Sequence, residues 1–259
     1  MSACVDALGA RVKSRARHRV LTCARARPHA IRSDHVRLLR DARRLGERHP
    51  RGGTLAGAQD VAVDDARVLE AYAIEEAEAE RETYAPYRAV LGRVIEGISR
   101  RLGIELASHE RDVLARSLPD WRPFPDTVDS LARLAVRARL GIISNIDEDL
   151  FAATRRHLPV VFEWIVTAEA ARAYKPSRVI FDLAIARIGV APDRILHVGQ
   201  SLYHDVPPAR ALGLGTVLVS RPSARPGGAT FVTAATPDLI VADLRALADL
   251  IAPNSREDR

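Results

Sequence analysis

At 259 residues, 47% hydrophobic and 28% charged, the chain has the size and balance of a soluble globular protein, as one large domain or a core with a lid. No apolar run approaches a membrane span, and two cysteines, Cys4 and Cys23, are too few for a disulfide framework, so a reducing cytoplasm is expected. The formal net charge of +6 hides a division: residues 1–53 carry 14 Lys and Arg against 4 Asp and Glu, a net of +10, and the remainder carries −4.

In chain order, the basic stretch comes first, and it also holds both cysteines and four of the eight histidines. A basic arm of this kind suits nucleic acid or an anionic membrane surface. It contains no aromatic residue to stack on a base and no recognisable nucleic-acid motif. Both readings rank below an out-of-frame origin, which the downstream residues suggest, and neither nucleic acid nor a membrane is expected as a partner. A targeting peptide and a disordered tail are further readings, although a secretory signal would need a continuous apolar core that is absent here. Within it "RVLTC" (19–23) is strand-like, but no carboxylate follows it.

From residue 61 the patterns become regular. Asp64 and Asp65 open a helix carrying Val68, Leu69, Tyr72 and Ile74. "PYRAVLGRVIEGISRRLGI" puts Tyr87, Leu91, Val94 and Ile98 on one face, with Gly103 as its stop. "SHERDVLARSL" predicts a third helix with Ser108 as N-cap, and the helical run ends near Asp120. The period then changes. Helices over 126–138, 147–157, 177–188 and 206–212 alternate with the strands "LGIISN", "FEWIVTA", "RILHVG" and "GTVLVS"; a short strand "DLIVA" precedes the helix "LRALADLI". "SARPGGAT" reads as a loop and the tail after Pro253 as frayed. The alternation predicts an α/β fold, a Rossmann-like parallel sheet with helices on both faces. Four segments are expected: an atypical Arg-rich stretch over 1–56, a separate helical layer over 57–120, an α/β core over 121–252 and a tail over 253–259.

Ligands of such sheets bind outside the carboxyl ends of the strands, which selects Ser144-Asn145, Tyr174-Lys175-Pro176 and the run from Gly199 to Asp205. A hydroxyl, an amide and backbone N–H groups at a strand end make an anion pocket. Taken singly, Ser-Asn is a common capping pair, a lone lysine a solvated charge, and Asp205 a helix-start charge. Together, "ISN", "YKPSRVIFDLAIARIGVAPDRILHVGQSLYHDVPPARALGLGTV" and their spacing over 122–221 resemble the haloacid dehalogenase superfamily of hydrolases. The resemblance implies that the helical layer over 57–120 is a cap, that Ser144 and Asn145 bind the oxygens of the reacting group and that Lys175 offsets the charge of a nucleophilic aspartate. Asp205 would orient that lysine and is the one metal ligand of the set, if any is. Tyr174, Gln200, Ser201 and His204 beside them would contact a small-molecule substrate. Gln200 stands where many phosphatases of the superfamily have an Asp, which weakens the case for magnesium. The resemblance therefore points to the 2-haloacid dehalogenase-like branch without a cofactor; a small-molecule phosphatase using magnesium, or a non-catalytic protein with a basic arm, is the alternative. A homodimer is left open.

The superfamily's chemistry starts from an aspartate on the first, central strand, in a string such as DxDxT or DxYGT, and proceeds through an ester that water hydrolyses. No such string occurs here; Asp34 and Asp41 follow no apolar strand. The central strand is therefore expected to be lost or replaced. Joining the last two bases of each codon from Val36 to the first base of the next, with Arg codons of the CGN type and permitted third bases, re-reads residues 36–53 as "FDCYGTLVDWESGILAAA". That is the dehalogenase-like first motif in its proper place. The expectation is that residues before about 54–60 are out of frame, and that the chain as it stands is inactive.

Overall fold

A computed structural model describes residues 20–24, 65–103, 106–221 and 234–253. The Arg-rich stretch other than 20–24, the re-read residues 36–53, the "SARPGGAT" loop and the tail beyond Pro253 lie outside the described residues. The first described element is β1 (Val20–Ala24). Helices α1 (Asp65–Ala79), α2 (Tyr87–Leu102) and α3 (Val113–Ser117) follow, then α4 (Thr127–Ala135) and β2 (Arg139–Ser144). The chain continues through α5 (Glu148–Arg155), β3 (Trp164–Thr167), the single turn α6 (Ala168–Ala171) and α7 (Arg178–Ile188). It closes with β4 (Ile195–Gly199), α8 (Leu202–Ala211), β5 (Gly215–Val219), β6 (Leu239–Val241) and α9 (Leu244–Ile251).

Among the described residues six strands form one sheet, all parallel, in the order β3-β2-β1-β4-β5-β6. This is the α/β architecture that the alternation implied. Strands covered on both faces need apolar residues at nearly every position, and "RLGIIS" and "ILHVG" supply them, buried along almost their whole length. Neighbouring residues of a strand point to opposite faces. Ile142 and Val198 line a space shared with Leu131 of α4 and Leu244 of α9, and His197 meets Phe181 of α7 edge-on at 5.1 Å. Hence α4 and α9 cover one face and α7 the other.

The centre of the sheet is held by β1, drawn from the basic stretch. Leu21 pairs with Leu140 on one side and Leu196 on the other. The expected central strand is thus replaced by "VLTCA", whose Val20, Leu21 and Thr22 are buried. The strand order reverses direction across β1, so a crevice opens between the carboxyl ends of β1, β2 and β4.

Two helix starts differ from expectation. "SHERDVLARSL" is not one helix capped by Ser108. Glu110 accepts the Ala107 N–H at 2.8 Å and closes a 3-10 turn over Ser108–Glu110, and α3 begins only at Val113. The second helix is expected over 206–212. Instead Ser201 caps α8 by accepting the His204 N–H at 3.2 Å, so the helix begins four residues earlier and Pro207 and Pro208 fall inside it.

Helix α2 packs on α1 and buries Val90, Leu91, Val94, Ile95 and Ile98 along one stripe. Its N-cap position is Pro86, which has no side chain able to cap. The core supplies the cap instead: Asp147, beyond β2, accepts the N–H groups of Tyr87 at 2.6 Å and Arg88 at 3.0 Å. A negative charge at a helix N-terminus is favourable, and it fastens α2 to the loop that follows Ser144. At the far side of the core, Arg221 grips Asp126 with two hydrogen bonds, both residues buried, and Asp126 also accepts the Leu244 N–H. Among the described residues no helix is long and apolar enough to cross a membrane.

Candidate active site

Three strand-end segments, Ser144-Asn145, Lys175 and the run from Gly199 to Asp205, converge beside β1. Lys175 lies between α6 and α7, preceding a cis bond to Pro176, and is 5% exposed. Its ammonium donates to Asp205 Oδ1 at 2.6 Å. Asp205 sits in the first turn of α8, 3% exposed. Its Oδ2 accepts the Ser201 N–H at 3.1 Å, and Oδ1 lies 3.3 Å from His197 Nε2. Burial alone would raise the Asp205 carboxyl, but the Lys175 charge and the His197 bond outweigh it and hold it far below the usual carboxylate range. The pair is therefore an ion pair in a dry setting, where Coulomb interactions are strong. Close approach of helix to strand requires Gly199: a Cβ there would lie 2.5 Å from Asp205 Cγ and 2.6 Å from its Cβ.

Asn145 and Ser144 end β2 as expected. The Asn145 side chain clasps the lysine's own peptide, accepting from Lys175 N at 2.7 Å and donating to Lys175 O at 3.2 Å. That clasp fixes where the ammonium can reach. Ser144 is 4% exposed and pairs in register with Thr167.

Of the four residues expected to contact substrate, three bind other parts of the protein and one turns elsewhere. Tyr174 donates its hydroxyl to Ala85 O at 2.7 Å and stacks on Tyr84 at 5.5 Å. Burial chiefly pushes that hydroxyl's pKa well above the usual tyrosine value. Ser201 caps α8, and its Oγ is 2.8 Å from His204 Nδ1. His204 Nε2 meets Glu80 at 3.2 Å, and Glu80 also accepts from Asn145 at 3.1 Å. These contacts bring the loop after α1 onto the strand ends. Gln200 lines a separate cavity of about 80 Å³, walled by Trp121, Phe124, Leu131, Ile142 and Val198. Its carbonyl oxygen is buried there without a partner among the described residues.

Glu80, Asp147 and His197 were not legible as site residues. Glu80 lies in the run "EEAEAE", which reads as a solvated helix face, and Asp147 reads as an ordinary cap of α5. Lys175 carried a signal beyond its neighbours: the chain's 39 basic residues include only two lysines, Lys13 and Lys175. A chain that uses arginine almost everywhere keeps lysine at a buried position, where a compact point charge differs most from a guanidinium.

A family model of haloacid dehalogenase-like hydrolases matches residues 24–213. The chain belongs to that family. The (S)-2-haloacid dehalogenase of Pseudomonas sp. (strain YL) is 29% identical to this hydrolase over 154 residues, 58% of this chain and 64% of that protein. A glyceraldehyde 3-phosphate phosphatase of Methanothermobacter thermautotrophicus is 32% identical over 102 residues, 38% of this chain and 45% of that one. The chain thus spans between about half and two thirds of these curated relatives. In fold it is similar to the L-2-haloacid dehalogenase of Xanthobacter autotrophicus with chloropropionic acid covalently bound. The TM-score is 0.67 at 18% identity, covering 90% of this chain and 98% of the other.

Proposed function

We propose that this hydrolase descends from a 2-haloacid dehalogenase-like enzyme and that, as its sequence stands, it lacks the nucleophile and turns over negligibly. The observation that carries this reading is the end of β1. In the intact reaction a carboxylate at the end of the central strand, whose place "VLTCA" takes here, attacks C2 of a small 2-haloacid. The carbon–halogen bond breaks and halide leaves with the electron pair. Water then attacks the acyl carbon of the resulting ester, releasing the hydroxy acid and restoring the carboxylate. Here β1 ends in Thr22, Cys23 and Ala24, with Ala24 in register with Ile143, next to Ser144. The strand offers no carboxylate.

The remaining roles follow from chemistry at the strand ends. Lys175 balances negative charge on nucleophile and substrate, held in place by Asp205 and by the Asn145 clasp. Ser144 and nearby N–H groups bind the substrate carboxylate. Helices α1 to α3, within residues 57–120, act as the cap, and the loop through Tyr84 closes over the site. A one-base shift of frame across residues 36–53 accounts at once for the arginine-rich composition and for the missing motif. We place the enzyme in the cytoplasm.

Similarity to the glyceraldehyde 3-phosphate phosphatase favours a second reading, a small-molecule phosphatase. The donor set argues against its metal. Asp205 already accepts three protein N–H donors, Gln200 brings no charge, and among the described residues no group of three His, Cys, Asp or Glu side chains is arranged around a cation. The test compares the chain as it stands with a version whose residues 36–53 are replaced by FDCYGTLVDWESGILAAA. Halide release from 2-chloropropionate by the second alone is expected. Comparable release by both overturns the missing nucleophile, and magnesium-dependent phosphate release by the second, without halide release, establishes the phosphatase.

A further inference from the structure

We infer that His197 is a positioning residue of this site: a neutral imidazole with its proton on Nε2, it holds Asp205 in line with Lys175 and ties both to the central strand through Thr22. The importance of that arrangement for turnover rests on the function proposed above; the position of the proton does not.

His197 is 1% exposed in the middle of β4, among Ile195, Leu196 and Val198. Its ring has a neighbour on each side: Asp205 Oδ1 is 3.3 Å from Nε2, and Thr22 Oγ1 of β1 is 3.1 Å from Nδ1. The proton inventory follows from these partners. Asp205 is an ionised carboxylate and can only accept, so the nitrogen facing it must donate. Asp205 is already matched by the Lys175 ammonium, so a second cation at this 1% exposed position would lack a counter-charge. Burial lowers the proton affinity of the imidazole in the same sense, which leaves a single ring proton. That proton is on Nε2. Nδ1 is therefore a bare acceptor, and the Thr22 hydroxyl must donate to it. The result is a directed chain from Thr22 to His197 to Asp205, with Lys175 donating to the same oxygen from the other side. Packing alone would not ask for histidine here. A phenylalanine beside Phe181 could supply neither the donor nor the acceptor.

The experiment is NMR on the full chain. Long-range correlation of 15N-labelled histidine rings reads the tautomer of His197 directly, and lysine-selective labelling leaves two ammonium groups, Lys13 and Lys175. The expected result is a slowly exchanging proton on His197 Nε2. His197→Phe should speed exchange of the Lys175 ammonium by about threefold or more, because Asp205 loses one of the donors that hold it. His197→Gln, which keeps an N–H donor, should restore most of the protection. A proton on Nδ1 in the unaltered chain overturns the inference, as does unchanged Lys175 exchange in His197→Phe. If that variant fails to fold, the tautomer of the unaltered chain decides alone. Neither readout involves turnover, so an error in the proposed reaction leaves both intact.

Discussion

Replacing Asp205 by alanine tests the core of the site. The variant leaves the Lys175 ammonium, its side chain 6% exposed, without the carboxylate that it meets at 2.6 Å. Removing one partner of a buried ion pair costs about 3–5 kcal/mol, since the survivor is neither solvated nor neutralised. The Ser201 N–H and His197 Nε2 lose their acceptor as well. Each orphaned donor costs about 1–3 kcal/mol, though such costs within one network do not simply add. A loss near the top of the range, about 4–5 kcal/mol, is therefore expected, against a total stability of about 5–15 kcal/mol. Lys175→Met should cost less, because the carboxylate keeps two donors. The double change Lys175→Met with Asp205→Leu should recover the part of the loss due to the unpaired Lys175 charge, since a well-packed apolar pair often equals a buried ion pair. The Ser201 N–H and His197 Nε2 stay without their acceptor in it. Urea unfolding followed by circular dichroism measures all three, with midpoints compared at constant slope. A loss below about 1 kcal/mol for Asp205→Ala, or a double variant as unstable as the two single losses combined, would refute the reasoning.

Acid stability provides a related check. The folded pKa of Asp205 is depressed, so its contribution is fully present above the ordinary carboxylate range, about pH 4, and is lost as pH falls towards the folded value. Unfolding midpoints of the unaltered chain should fall on acidification below that range, and Asp205→Ala should flatten the fall. Asp126 has the same sign, because burial raises its carboxyl but the Arg221 hydrogen bonds and charge lower it further; Asp126→Asn should weaken the same acid limb. Gly199→Ala should cost about 1–3 kcal/mol in the same urea assay, as overpacking does, because its Cβ meets a pinned Asp205 side chain. Asp147→Ala removes the cap of α2 and should cost about 0.5–2 kcal/mol, with faster amide exchange at Tyr87 and Arg88 and none at the Asp126 end of the core.

Much of the fold was legible because its signals are local. Apolar β-branched runs bounded by turn residues mark β2, β4 and β5, and Gly103 stops α2 with φ of 64°, as a left-handed C-cap requires. Ser144, Lys175 and Asp205 were legible through their spacing and through their places at strand ends. Local signals misled where a side chain answered a distant group. Ser108 reads as a cap, but Glu110 closes that turn. A helix is expected over 206–212, but Ser201 caps it so that it starts four residues earlier. Asp147 reads as the cap of its own helix and instead serves α2, sixty residues earlier.

The sequence by itself determined the parallel α/β core, the three charged and polar strand ends, and the absence of a carboxylate on "VLTCA", because each is written in residue type and local period. Only the tertiary structure decided that "VLTCA" takes the centre of the sheet. It also decided that Asn145 clasps Lys175, that Glu80 reaches His204, that Gln200 faces a different cavity, and that His197 stands behind Asp205. Those are contacts between residues far apart in the chain, where burial removes water as the competing partner and leaves each donor and acceptor to find another. Residue spacing carries no record of that pairing.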